Sequence, residues 1–139
     1  MASYDVRVAI RSYLDANWSE PSVPMVFENE GVITPDPPSP WVLVEVFGRE
    51  YLQTSIGSGD PDAERWTEDG TLNAHVMVPL GTGATEASRI AQVLVRLLRG
   101  VRLPNDTEFE GAAIGAGDPG DERGKYWRLT ASVDWKRSY

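Results

Sequence analysis

The stretch Gly70–Gly100, "GTLNAHVMVPLGTGATEASRIAQVLVRLLRG", decides the fold. In its first part Leu72, Ala74, Val76 and Val78 alternate with Thr71, Asn73, His75 and Met77, the period of a strand with two unlike faces. In its last part Ile90, Val93, Leu94, Leu97 and Leu98 recur at i, i+3, i+4, i+7 and i+8, one apolar stripe of a helix. Glu86 falls in the first helical turn and Arg96 and Arg99 in the last. Gly100 is a terminator. Between strand and helix lies "PLGTGAT", which has the grammar of a phosphate-binding loop. A P-loop needs a Lys and a hydroxyl after its second Gly, and a dinucleotide fingerprint needs a third Gly. This segment has no Lys, and Glu86 occupies the third glycine's place. The turn is therefore read as a corner in which Gly81 and Gly83 supply permissive backbone angles.

Working outward, "WVLVEVFGREYLQ" from Trp41 is the expected antiparallel partner of this strand. It is apolar on both faces, which predicts a central strand covered on each side. The intervening "TSIGSGDPDAERWTED" is rich in Gly, Pro and Asp and predicts a flap over about 53–70. Toward the N-terminus, Val6, Ala9, Ile10, Tyr13 and Leu14 mark an amphipathic helix with Ser3 as N-cap. "VPMVFEN" is an expected short edge strand, and "TPDPPSP" (34–40) an extended connector. Toward the C-terminus, "DTEFEGAAIGAG" predicts a strand that loosens into a Gly/Asp-rich loop at about 116–125. In "KYWRLTASVDWKR", Trp127, Leu129, Ala131, Val133 and Trp135 share one face, a half-buried antiparallel strand. The expectation is one α+β domain over 1–139, in the order α-β-β-β-α-β-β. An antiparallel or mixed sheet is packed by two amphipathic helices.

Composition narrows the chemistry. With 13 basic and 21 acidic side chains in 139 residues the formal net charge is −8, which opposes a surface that grips nucleic acid. There is no cysteine and one histidine, His75, so thiolate catalysis and histidine-cluster metal sites are excluded within one chain. No apolar run approaches the ~20 residues of a membrane span. The N-terminus is periodic and charged, unlike a secretory signal. A soluble protein made in a cytoplasm is expected. His75 lies opposite the Leu72/Val76 face without a nucleophile signature beside it, so it is read as a sheet-surface or interface residue. "DPDAERWTEDG" fits only the start of a calcium loop and lacks its Gly. A solvated acidic flap is the reading, with no metal, cofactor or catalytic residue assigned. Trp66, beside Arg65, has no core periodicity to explain it. Either it anchors an interface or it folds back on its own loop.

The order of elements, with "DGTLNAHVMVPLGTGATEASRIAQVLVRLLRG", resembles the small tail-terminator (tail-completion) proteins of siphovirus-type phages and of phage-derived gene transfer agents. Their pattern has an N-terminal helix, a hairpin ending in "V-P-x-G-x-G", an amphipathic helix closing with "R-G", and a late strand rich in Trp and Tyr. The likeness is best from Gly70 to Gly100, with a second stretch from Tyr126 to Trp135. It implies a non-enzymatic virion protein: a homo-oligomeric ring, usually a hexamer, on the head-proximal end of the tail tube. Such a ring stops tube polymerisation and joins the tail to the head connector. Double-stranded DNA passes through without specific binding. The implied partners are further copies of the chain, the tail tube protein and the head–tail connector. The implied location is the tail–head junction of a particle assembled in the bacterial cytoplasm. The family has no conserved catalytic residues, so none is transferred. Candidate interface residues are Arg65 and Trp66 in the flap, and Asp118, Asp121, Glu122, Arg123 and Lys125 in the second loop. Another neck or head–tail connector protein is the alternative within the class. A small acidic metal-dependent enzyme or binding protein is the alternative outside it.

Overall fold

A computed structural model describes residues 2–31, 37–55, 57, 59–119 and 125–139; for Ala63 and residues 116–119 it describes the backbone alone. The elements are α1 (Tyr4–Asn17), β1 (Met25–Phe27), β2 (Trp41–Gln53), a 3₁₀ turn (Pro61–Ala63), β3 (Trp66–Pro79), α2 (Thr85–Leu98), β4 (Thr107–Pro119) and β5 (Tyr126–Ser138). The strands form one sheet in the order β1-β2-β3-β5-β4, parallel at β1/β2 and antiparallel elsewhere. The fold is α+β in the expected element order.

Alternation carries the layering. Val42, Val44 and Val46 of β2, Leu72, Ala74, Val76 and Val78 of β3, and Leu129, Ala131, Val133 and Trp135 of β5 are buried on one face. They join one core with Val6, Ile10 and Leu14 of α1 and with Ala87, Ile90, Ala91, Leu94 and Leu98 of α2. Val93 and Leu97, read as part of the α2 stripe, lie half-buried at its margin. The small Ala87 and Ala91 let the helix approach the sheet instead. Tyr13 Oη donates to the Leu97 carbonyl at 2.7 Å, joining the two helices. Ser3 caps α1, its hydroxyl accepting from the Val6 N–H.

Two expectations for β2 change. The central strand is β3; β2 lies second from the edge beside three-residue β1. Its second apolar face is not covered by a helix. Trp41 packs there edge-on against Tyr126, 6.2 Å between centroids, in a small cluster with Met77, Val26 and Leu43. Where β1 ends, Glu28 continues its work: one carboxylate oxygen accepts from the Val46 N–H at 2.7 Å and from Arg7 of α1 at 2.8 Å. Of the proline-rich connector, residues 34–36 lie outside the described residues; Pro37–Pro40 carry no regular structure and lead into β2.

Midway along the hairpin the ladder shifts register between Gly48 and Glu50. Gly70, opposite Gly48, is crossed so closely that an added Cβ would sit 1.8 Å from the Phe47 carbonyl oxygen and 2.7 Å from the Trp135 ring. Only glycine fits, because neither a backbone oxygen nor a wholly buried Trp can retreat. Gly70→Ala is expected to destabilise the fold by ~3 kcal/mol or more through overpacking, read as a lower urea midpoint at unchanged slope.

Exposed ion pairs fasten the periphery. Arg89 of α2 holds Glu86 and reaches Glu20 in the segment after α1; Arg11 of α1 holds Glu30 and Asp15. Glu86 is held below the usual carboxylate range first by the Arg89 hydrogen bond. Glu30 is lowered first by Arg11 and then by the Phe27 N–H. A carboxyl depressed in the folded state stabilises it above the unfolded pKa, and that contribution fades as the pH falls through the folded pKa. The urea midpoint is therefore expected to decline below about pH 5, and Arg11→Gln/Arg89→Gln to flatten that decline.

Candidate assembly surfaces

The expected flap over about 53–70 is a loop at 54–65 flanked by sheet, Gln53 ending β2 and Trp66–Gly70 beginning β3. Past the bulge, β2 and β3 stay paired to Gln53 opposite Trp66, and the end of β5 lies alongside, with Thr67 opposite Ser138. Trp66 and Tyr139 exchange both backbone hydrogen bonds, at 2.7 and 2.9 Å. Only residues 54–65 form a loop, and it is laced shut. The Thr54 N–H donates to the Arg65 carbonyl at 2.7 Å. The Arg65 N–H donates to Ser55 Oγ, which itself donates to Glu64, both at 2.7 Å.

Trp66 is half-buried and folds back. Its indole N–H donates to the Pro61 carbonyl at 2.8 Å, and its ring lies 5.5 Å from that of Tyr51. Tyr51 in turn meets Tyr139 edge-on at 6.2 Å. Of the two readings of Trp66, the contact with its own loop is the one present. Exposed apolar surface is carried by Tyr51, 51% exposed, with Tyr139 on the Trp66 side, and by Leu52, 53% exposed, on the opposite face of the strand. Arg65 is exposed, and its guanidinium has no ion pair among the described residues. The sequence signal for Tyr51 and Leu52 was two adjacent large apolar residues beyond a glycine. On a strand such a pair occupies both faces, so one of them must face away from the core.

A buried polar clamp ties this end of the sheet to α1. Glu68, almost fully buried on β3, accepts from both the backbone N–H and the hydroxyl of Ser3. It faces Arg137 of β5 at 3.8 Å. Arg137 also reaches Asp5 at 3.5 Å and donates to the Asn105 carbonyl at 2.9 Å, and its guanidinium lies 3.8 Å over the Tyr139 ring. A carboxylate at a helix N-terminus is favoured by the unpaired N–H groups and the helix dipole. Neither Glu68 nor Arg137 stood out in the sequence, where each reads as one charge among many on an alternating strand.

The second candidate surface lies at the other end. β5 spans 13 residues from Tyr126 to Ser138, about 40 Å at strand rise. The strand β4 runs on to Pro119, further than expected, with Asp118 opposite Arg128. Lys125 is exposed, and its carbonyl accepts from the Leu80 N–H at 2.8 Å. This places it beside the "PLGTG" corner. Asp121, Glu122 and Arg123 lie outside the described residues. Gly81 and Gly83 take φ of 86° and 85°, the left-handed angles the corner needed. With Pro79, Ala84 and Trp127 they line a shallow depression of about 260 Å³.

His75 occupies the uncovered sheet face as expected, and both its ring nitrogens are engaged. Nδ1 lies 2.8 Å from Thr130 Oγ1 and Nε2 2.5 Å from Glu45 Oε1. Ser132 donates to Asn73 and Thr71 to Asp134 on the same face, making a cross-strand polar ladder. Among the described residues no three or more His, Asp or Glu side chains are grouped to hold a metal ion, and no helix is long and apolar enough to cross a membrane.

No protein-family model and no curated protein sequence matches the chain. Solved structures share the fold. One, whose designation carries no functional word, superposes with a TM-score of 0.72 at 18% identity, covering 100% of this chain and 98% of that chain. An identity that low speaks for the fold alone.

The two kinds of residue at the loop end separate by mutation. Trp66→Ala removes the ring that holds the 54–65 loop and is expected to cost ~2 kcal/mol of stability, less than a full core Trp. Leu52→Asp leaves stability within about 0.5 kcal/mol and is expected to abolish any self-association that uses the opposite face of this strand end. Chemical denaturation and sedimentation velocity on both variants check this.

Proposed function

We propose that the chain is a tail terminator of a siphovirus-type phage or a phage-derived gene transfer agent. It forms a homo-oligomeric ring, a hexamer by the resemblance, at the head-proximal end of a tail tube. There it halts tube polymerisation and meets the head connector, and DNA passes through the hole. The observation that carries this reading is the aromatic end of the sheet. Tyr51 and Tyr139 expose apolar surface on one face at the end of the β2–β3–β5 sheet, and Leu52 does so on the other. A surface at one end of the sheet can meet a different face of the next copy. It suits a head-to-tail contact, in which rotation closes a ring. The net charge of −8 supports a wall past which DNA slides, since phosphate binding rests on clustered Lys and Arg.

Electron microscopy of the purified protein, and of particles carrying it, is expected to show rings about as wide as a tail tube. Deleting the gene is expected to yield overlong tails that fail to join heads. Tails of normal length that lack heads would instead assign the chain to a connector. A monomer that is absent from particles would overturn the structural reading.

A further inference from the structure

The loop end is not only apolar. Tyr51, Trp66 and Tyr139 wall a groove of about 340 Å³ into which Asp62 and Glu64 face. Aromatic faces beside carboxylates are the surroundings that receive a guanidinium, through stacking and paired hydrogen bonds together. One ring already does this within the chain, where Arg137 stacks on Tyr139.

The complementary group is on α2. Its outer face carries Arg89 and Arg96, opposite the buried Ala87–Leu98 stripe, and Arg99 is its C-cap residue. Arg89 is neutralised by Glu86 and Glu20. Arg96 and Arg99 are exposed, and neither has a carboxylate partner among the described residues. In a chain with 21 acidic and 13 basic side chains, most described cations are paired: Arg7, Arg11, Arg49, Arg102, Lys136 and Arg137 all are. A helix dipole accounts for basic residues in a last turn. It does not account for two adjacent guanidinium groups left uncompensated on so acidic a protein. No ion pair joins them to the 54–65 loop within one chain.

We propose that Arg96 and Arg99 of one copy seat in the Tyr51/Trp66/Tyr139 groove of the next, against Asp62 and Glu64. This rests on the ring reading and names its subunit contact. The donor is a helix flank and the acceptor a sheet end, so the contact is heterologous and propagates around a ring.

Charge reversal tests it, with circular dichroism to verify folding. Arg96→Glu/Arg99→Glu alters only exposed positions in the last turn and C-cap of α2 and is expected to weaken self-association at least ~10-fold. Asp62→Lys/Glu64→Lys is expected to do the same, with Asp62→Asn as a milder variant should the loop be disturbed. An equimolar mixture of the two reversed proteins is expected to assemble again, because each then offers the other's complement. Wild-type association is expected to weaken when salt rises from about 50 to 500 mM. Reversed variants that assemble like wild type, or a mixture that stays apart, would overturn this contact while leaving the ring intact. A wild-type chain that forms no ring, alone or on tubes, would remove the ring reading and this contact with it.

Discussion

The close crossing at Gly70 is the constraint on which the rest of the molecule depends. β3 is the middle strand of the five, paired over nearly its whole length to β2 on one side and to β5 on the other. At Gly70 the Phe47 carbonyl and the Trp135 ring converge on a residue with no side chain to give. Trp135 lies over the gap and seals the core at that point, wholly buried. On one side of the crossing the sheet is a floor for two helices. On the other, β2, β3 and β5 run on to Gln53, Trp66 and Ser138, with the start of β4 beside β5 at Lys136 and Arg137. The long sheet therefore divides into a stable half and a projecting half without a domain boundary.

What keeps the projecting half from swinging free is polar. Glu68 and Arg137 lie on neighbouring strands just past the crossing and are bound there to Ser3, Asp5 and the Asn105 carbonyl. A buried ion pair contributes little net stability, because desolvation offsets much of its attraction. Its value is geometric: it fixes the first turn of α1 to one place on the sheet. The aromatic groove is then built on a rigid base, and a rigid surface loses less conformational freedom when it meets a partner. The opposite sheet face follows a different rule. His75 pairs with Glu45 and Thr130, and Ser132 with Asn73, so these side chains are satisfied across the strands.

Much of the fold was legible because two periods, 2 and 3.6, seldom mimic each other over ten residues or more. The alternation of Leu72 to Val78 and of Trp127 to Trp135 named the buried face of each strand. Ser3, Gly81, Gly83 and Gly100 marked the caps and the corner. The flap was drawn too long at one end for a physical reason. "WTED" is polar enough to read as loop, yet it opens β3, because an antiparallel ladder is held by backbone groups and needs little from side chains whose faces meet water. Trp66 was visible as an aromatic without a core period. Its partner Tyr139 stands 73 positions away, and no local pattern brings the two together.

By itself, then, the sequence determined the class of fold, the face each element buries, the acidic balance, and the corner that lacks the lysine and third glycine of a phosphate site. These are properties of local spacing and composition, which each segment carries wherever it is placed. Only the tertiary structure decided that β3 is central, that β5 extends beside the hairpin, and that Tyr51, Trp66, Tyr139, Asp62 and Glu64 share one groove. Among the described residues it also left Arg96 and Arg99 without carboxylate partners while Arg89 and Arg102 found theirs. Such facts depend on strand order and register, which follow from how the buried faces close over one another in three dimensions. A candidate surface assembled from distant positions becomes visible only when that closure is complete.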